Sequence, residues 1–400
     1  MPMLQRLLQR RLALVLTAIW LAVIAGFTLI PLPRQLAQAA ATPWYCVVCG
    51  DQGTVDVLLN VALFVPLGLG LGVLGVRPIR ALLAGLVLAL VIELLQATLV
   101  TGRDPSLSDV LTNGCGSFLG AALAVSAPGL WRPSVASARQ LAISAALGWL
   151  LLMGITGWLL TEDKAAGPVR LVQAPTEPFL ERFSGSIQSA RADEGSGARS
   201  LHASIVTVGI TDRLAPVLEL RDADRYPLAL LGQLGQKPVF SWRLRATRAL
   251  LRTPAVRVYG GVFPDAPVPA SVDGGKTGPM LWAAGTVDGR RHTAELALTP
   301  GLGWMLLLPL NYPFDVHSRW TSAAWLALPL LLVGFWAGRA RMRFALLIVA
   351  SVALLLAGLE GTAAMFHLAR DGALAWGVGL AAVIGAWGLG REAYGMGRKA

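Results

Sequence analysis

Eight apolar runs separated by short basic loops constrain this chain more tightly than any motif in it. The runs fall at about residues 12–30, 55–76, 81–100, 109–128, 140–160, 321–338, 344–362 and 373–390. A bilayer's hydrocarbon core, ~30 Å thick, is crossed by roughly 20 predominantly apolar residues in an α-helix. The spacing therefore predicts about eight transmembrane helices. Composition agrees, because 14% of the residues are charged, against about 25% in soluble domains.

A net charge of +11 raises the question of a nucleic-acid partner, and the distribution of that charge argues against one. Residues 161–320 hold 18 of the 34 Lys and Arg residues but also 15 acidic ones, a net of only +3. The other basic residues flank apolar runs. Thirteen of them, from Arg6, Arg10 and Arg11 through Arg339, Arg341 and Arg343 to Arg398 and Lys399, fall on one side of an eight-span arrangement. Arg34, Arg103 and Arg370 fall on the other. Basic loops stay in the cytoplasm, so both termini are expected there and residues 161–320 outside it. The expected partner is the lipid bilayer of a bacterial cytoplasmic membrane. The first run, followed by "LAQAAATPW", also has the look of a signal peptide. At about 19 residues it exceeds a usual signal-peptide apolar region, which favours a retained helix.

The outside segment has a different texture. Short runs such as "PVLELRD", "VFSWRLRAT", "AVRVYGGVF", "MLWAAGTVDG", "HTAELALT" and "GWMLLLPL" alternate with clusters such as "FPDAPVPASVDGGKTG". In "VFSWRLRAT", Phe240, Trp242 and Leu244 share one face and Ser241, Arg243 and Arg245 the other, the period-2 pattern of a half-buried strand. An inserted all-β sandwich is expected. On strand pattern alone it resembles the concanavalin-like jelly roll of lectin and laminin-G domains. The expected organisation is a four-helix membrane domain over 1–133, a fifth helix over 134–162, the β-sandwich over 163–320 and three C-terminal helices over 321–400.

Tyr226, Trp242, Tyr259, Trp282 and Trp304 are the aromatic candidates for stacking on sugar rings, though core packing is the favoured role, above all for Trp242. Glu219, Asp222, Asp288, Glu295 and Asp315 show no carboxylate pairing of the kind a glycosidase needs. No phosphate loop, nucleophile elbow, zinc-protease or dinucleotide pattern occurs. No metal site or cofactor is expected. Cys46 and Cys49, in "WYCVVCG", lie in the first outside loop, where a small disulfide is the expected state over a redox or metal role. No His follows Cys49, which removes covalent haem attachment. Cys115, among small residues in the fourth run, is expected to pack between helices.

Several polar residues sit inside the apolar runs. The second and fourth runs descend from the outer boundary and the third ascends to it. At 1.5 Å per residue, Asp56, Asn60, Glu93, Gln96, Arg103, Asp109 and Asn113 then share one depth near the outer surface. Glu93 and Gln96 are spaced i, i+3, which puts them on one helix face. An intramembrane carboxylate is costly and needs a partner or water. The coincidence predicts an outward-opening polar pocket, with Arg103 as counter-charge. The rival reading is helix-to-helix hydrogen bonding, at about 0.6–2 kcal/mol per bond.

These residues carry a family resemblance. "DVLLNVALFVPLGLGL" and "IELLQATLVTGRDPSLSDVLTNGCGSFLG" are similar to the VanZ-like membrane proteins over roughly residues 15–128. The matching positions are Asn60, Phe64, Pro66, Gly68, Glu93, Gln96, Arg103, Asp109, Asn113, Gly116 and Gly120. The family is named for a protein associated with teicoplanin (glycopeptide) resistance, and similar domains occur beside envelope polysaccharide systems. The resemblance implies a cell-envelope role without implying a reaction. Three functions follow as expectations. One is an accessory protein that engages an envelope glycan or lipid-linked polysaccharide through the pocket and a lectin-like domain. The second is an intramembrane enzyme using Glu93 or Asp109 as acid or base, with Arg103 on an anionic substrate. The third is a scaffold holding other envelope-biosynthesis membrane proteins in an export assembly.

Overall fold

The computed structural model describes the whole chain except residues 1, 32–43, 49, 51, 101–105, 132, 177–179, 196–197, 309–315 and 397–400. Among the described residues, eight helices are long and apolar enough to cross a membrane. The chain divides into two compact units, Met1–Pro133 and Ser134–Ala400.

The first unit consists of α1 (Pro2–Leu29), α2 (Gly53–Val73), α3 (Pro78–Leu99) and α4 (Leu107–Trp131). Pro78 opens α3, where its missing N–H costs nothing. α2 and α4 run against each other along a seam of small residues. A Cβ on Gly68 would strike the Ser117 carbonyl, and one on Gly120 the Val65 carbonyl. Lipid tails are as apolar as leucine, so close backbone packing has to supply the attraction that water supplies elsewhere. Ile24, Phe64, Leu67 and Ile92 form the buried apolar centre, and Trp20 Nε1 donates to the Leu63 carbonyl at 2.6 Å. Cys115 is a free, exposed cysteine, so the expected packing role is corrected. It shares α4 with the seam residues Gly116, Ser117 and Gly120 but points to the other side.

The second unit opens with α5 (Val135–Leu159), whose N-cap Ser134 side chain accepts from the Ser137 N–H. Three more apolar helices end the chain: α6 (Val316–Arg339), α7 (Phe344–Phe366) and α8 (Ala373–Met396). α7 contains a π-helical stretch, Leu356–Gly361. Trp149 of α5 lies there against Gly358, where a Cβ would meet its ring. The Trp149 Nε1 donates to the Leu326 carbonyl of α6 at 3.0 Å.

Between α5 and α6 lie ten strands in two five-stranded antiparallel sheets. The first sheet runs β1 (Arg170–Gln173), β4 (Thr211–Arg221), β5 (Pro227–Gly235), β6 (Lys237–Trp242), β7 (Ala255–Arg257). The second runs β10 (Arg290–Ala297), β9 (Met280–Val287), β8 (Pro269–Thr277), β3 (Ala198–Val206), β2 (Ser186–Gly195). Asp288 and Gly289 join β9 to β10, both at positive φ, the geometry a two-residue hairpin requires. The two sheets touch through their apolar sides: a Cβ on Gly274 of β8 would meet the Phe240 ring of β6. Leu201, Ala203 and Ile205 of β3 are buried, which puts Ser200, His202 and Ser204 on the opposite, outer side of the second sheet.

Three local expectations are corrected. The first four residues of "GWMLLLPL", Gly303 to Leu306, belong to a buried 3₁₀ turn, Pro300–Leu306, rather than to a strand. β8 forms inside the Gly/Pro/Asp-rich stretch read as punctuation. The strand in "VFSWRLRAT" stops at Trp242, and a short helix covers Arg245–Arg248. As a result Arg243 turns inward rather than out. Its guanidinium lies 3.2 Å from Asp163 Oδ2 and 2.7 Å from Asp222 Oδ2 and also donates to the Lys164 carbonyl. Burial pushes the Asp222 carboxyl up, but bonds from Arg243 and from the amides of Ala166 and Tyr226 outweigh it. Together with the Arg243 charge they hold the group below its ordinary 3.8.

Candidate functional site: a polar cluster at the start of α4

α3 keeps Glu93 and Gln96 on the stripe it buries. Ala81, Gly85, Ala89, Ile92, Glu93 and Gln96 are buried, whereas Leu83, Val87, Leu90 and Leu94 are exposed. Spacings of three and four residues make each set one helix face. The Glu93 carboxylate accepts from the Ser106 backbone N–H at 2.7 Å. Ser106 immediately precedes α4, and its carbonyl accepts the Val110 N–H. Glu93 thus does from a neighbouring helix what the glutamate of a capping box does from its own. It also aims a carboxyl oxygen at the positive end of the α4 dipole.

Three residues further along, Asp109 Oδ1 accepts from Asn60 Nδ2 at 2.7 Å. α2 and α3 therefore both send a polar side chain to the opening turn of α4. Gln96 Nε2 donates to the Thr28 carbonyl at 2.8 Å, which adds the end of α1. Asn113, one turn beyond Asp109, is buried. Among the described residues, neither Asn113 Oδ1 nor Ser117 Oγ has a hydrogen-bond partner, and both atoms are buried. An unpaired buried acceptor costs about 1–3 kcal/mol, so these two atoms mark where the cluster is polar but incomplete.

Asp56 sits one turn before Asn60, exposed. Arg103 lies outside the described residues, and so does Cys49 of the expected Cys46–Cys49 pair. Thr28, Ser106 and Ser117 were not singled out from the sequence. Ser106 had a usable signal, as a serine just before an apolar run is a candidate helix cap. Thr28 acts through a backbone carbonyl and Ser117 looks like any small packing residue, so neither had one.

The aromatic candidates of the β region separate cleanly. Trp242 and Trp304 are buried and Tyr226 is exposed. Tyr259 is exposed with Lys237 Nζ 4.6 Å from its ring centroid. Trp282 is half-buried on the outer side of the second sheet. Glu219 pairs with Arg221 at 2.7 Å, and Asp222 is committed to Arg243. Neither is an available acid–base group.

Fold and cluster together define a multi-pass membrane protein with a β region between its fifth and sixth apolar helices. Residues 13–132, the segment that carries the cluster, match the VanZ/LLP1 family model. Comparison with curated proteins and with solved structures returns no match.

Proposed function

We propose that this is a bacterial cell-envelope membrane protein whose first unit offers a polar pocket near the outer boundary of the membrane. The reading extends to a lipid-linked saccharide or polysaccharide component as the partner. The β region, as a jelly-roll-like sandwich outside the cytoplasm, would hold the glycan part. The VanZ/LLP1 match supports the envelope setting, and the run of basic loops supports the orientation. The observation that carries the pocket is the meeting of Asn60, Glu93 and Asp109 at the start of α4, with Asn113 Oδ1 buried beside them in sequence and unpartnered.

The competing reading is that the same bonds only fasten helices. Asn60–Asp109 and Glu93–Ser106 are each internally satisfied, which favours it. The conservative variants Glu93→Gln and Asp109→Asn separate the two, since each keeps an acceptor for its present donor. Complementation of a deletion strain for teicoplanin or detergent sensitivity is the assay. Expected are variants that reach the membrane and elute as monodisperse protein but fail to complement. Full complementation by both ends the pocket reading, and a deletion strain with wild-type sensitivity ends the envelope role. Complementation by neither together with loss of monodisperse protein identifies fasteners.

A further inference from the structure

The outer side of the second sheet brings together side chains that no motif connects. β3 pairs with β8 so that Ser200 faces Gly275 and His202 faces Asp273. β2 pairs with β3 so that Asp193 faces Ser200. β9 and β10 extend the first row with Trp282 and Glu295. Side chains directly opposite on one face of such a sheet have Cβ atoms about 4.5–5.5 Å apart, and the contacts follow. His202 Nδ1 lies 2.9 Å from Asp273 Oδ1, and His202 Nε2 lies 2.8 Å from Ser200 Oγ and 3.2 Å from Asp193 Oδ2. The Trp282 ring lies on Gly275, where a Cβ would meet its six-membered ring at 2.7 Å. Glycine is therefore what lets the indole lie down on the sheet.

Next to this line the same side of the sheet has a shallow hollow of about 520 Å³, lined among others by Gln188, Ser204, Ser271 and Thr286. Beside the Asp288 carboxylate its polar side chains are hydroxyls and an amide, groups that donate and accept equally well.

We propose that this face, built on Trp282, His202, Asp193 and Asp273 and continuing into the hollow, binds an uncharged oligosaccharide. A saccharide is the occupant that uses every part. The flat indole matches the apolar face of a pyranose ring, the fixed carboxylates accept from its hydroxyls, and the serine and threonine hydroxyls do either. Two of the carboxylates on the face already have arginine partners. Arg191 lies 3.3 Å from Asp193, and Arg291 lies 4.0 Å from Asp273. A charged ligand would have to break those pairs, whereas a neutral polyhydroxy ligand bridges them.

Ser200, His202 and Asp273 repeat the contact order of a nucleophilic triad, yet the setting opposes that chemistry. Asp193 shares the Nε2 that would have to take the serine proton. β3 is hydrogen-bonded along both edges, so its amides are not open to act as an oxyanion hole. The two carboxylates also face opposite ring nitrogens rather than one point, and among the described residues no group of three or more such side chains is placed to hold a metal ion.

The inference rests on the envelope reading only for the kind of sugar the face would meet. Its test uses the full chain in detergent, titrated calorimetrically with cellohexaose, chitohexaose and mannohexaose. Wild type is expected to bind at least one of them. Trp282→Ala and Asp273→Asn are expected to weaken that binding at least tenfold with melting unchanged. Tyr226→Ala, an exposed aromatic outside the face, should bind as wild type does. No binding to any of the three, or binding that survives both substitutions, overturns the proposal. Cleavage of a probe by wild type but not by Ser200→Ala would overturn the binding-only reading in favour of a hydrolase. Soluble hexasaccharides read this face and complementation reads the membrane pocket, so the two sites stand or fall separately.

Discussion

Two arginines reach for Asp163, and the structure assigns them opposite consequences. Arg243 and Arg248 approach the same Oδ2 at 3.2 and 2.8 Å, but their side chains are 7% and 68% exposed. Removing Arg243 as Arg243→Ala takes the ion-pair partner from the Asp222 carboxylate, nearly out of water, and leaves Asp163 only the exposed Arg248. Leaving a buried charge without its partner costs about 3–5 kcal/mol. Removing Arg248 deletes an exposed pair worth about 0–1 kcal/mol. For a folding unit of the β region's size, 1 kcal/mol moves the melting midpoint by roughly 2–4 °C. Arg243→Ala should therefore lower it by about 6–20 °C and Arg248→Ala by no more than about 4 °C. The assay is tryptophan-fluorescence melting of the full chain in detergent, at one fixed heating rate because such unfolding is commonly irreversible. Equal shifts for the two variants would refute the reasoning, because burial would then not be what separates them. pH gives a second check. Asp222 sits below 3.8 in the fold, so its stabilisation is present above that value and is lost as pH falls through the folded value. Asp222→Asn should remove that acid-side loss while lowering stability at neutral pH.

Gly68→Val and Gly120→Val should each force α2 and α4 apart, since the added atoms meet the Ser117 and Val65 carbonyls; loss of monodisperse protein is expected, while Gly129→Val, with open space around it, should behave as wild type. Asp371, in the loop between α7 and α8, accepts from the Gly301 amide at 3.1 Å and titrates above its ordinary value, chiefly through burial, with Glu360 adding to it. A carboxyl whose folded value is raised favours the fold while protonated, so its contribution is present below the unfolded value and is lost as pH rises through the folded one. Asp371→Asn, neutral throughout, should flatten the melting-versus-pH curve in that window; an unchanged curve would show that Asp371 is not the group responsible.

The eight spans were legible because a bilayer reads length and apolarity locally. Each run of about 20 apolar residues has one way to satisfy its backbone there, as a helix. The buried stripe of α3 was legible too, since Glu93 and Gln96 fall at helical spacing with Gly85 and Ala89. What they bond to was not. The Ser106 amide and the Thr28 carbonyl are backbone groups that every residue has, and only the packing of helix ends selects them. The β region shows the same division more sharply. Alternation marked most of β4, β5, β6, β9 and β10, but β8 hides in a stretch rich in glycine and proline. Its glycines are there because Phe240 and Trp282 press on Gly274 and Gly275, a tertiary reason with no local signature. Arg243 continued an alternating pattern on paper, yet two carboxylates from distant segments draw it inside. His202 and Asp273 lie 71 residues apart. Composition and period determined the eight long apolar helices found among the described residues and the strand-bearing segment between the fifth and sixth. Strand register, which depends on contacts far apart in sequence and flips every side chain when it slips by one residue, decided that His202 and Asp273 meet.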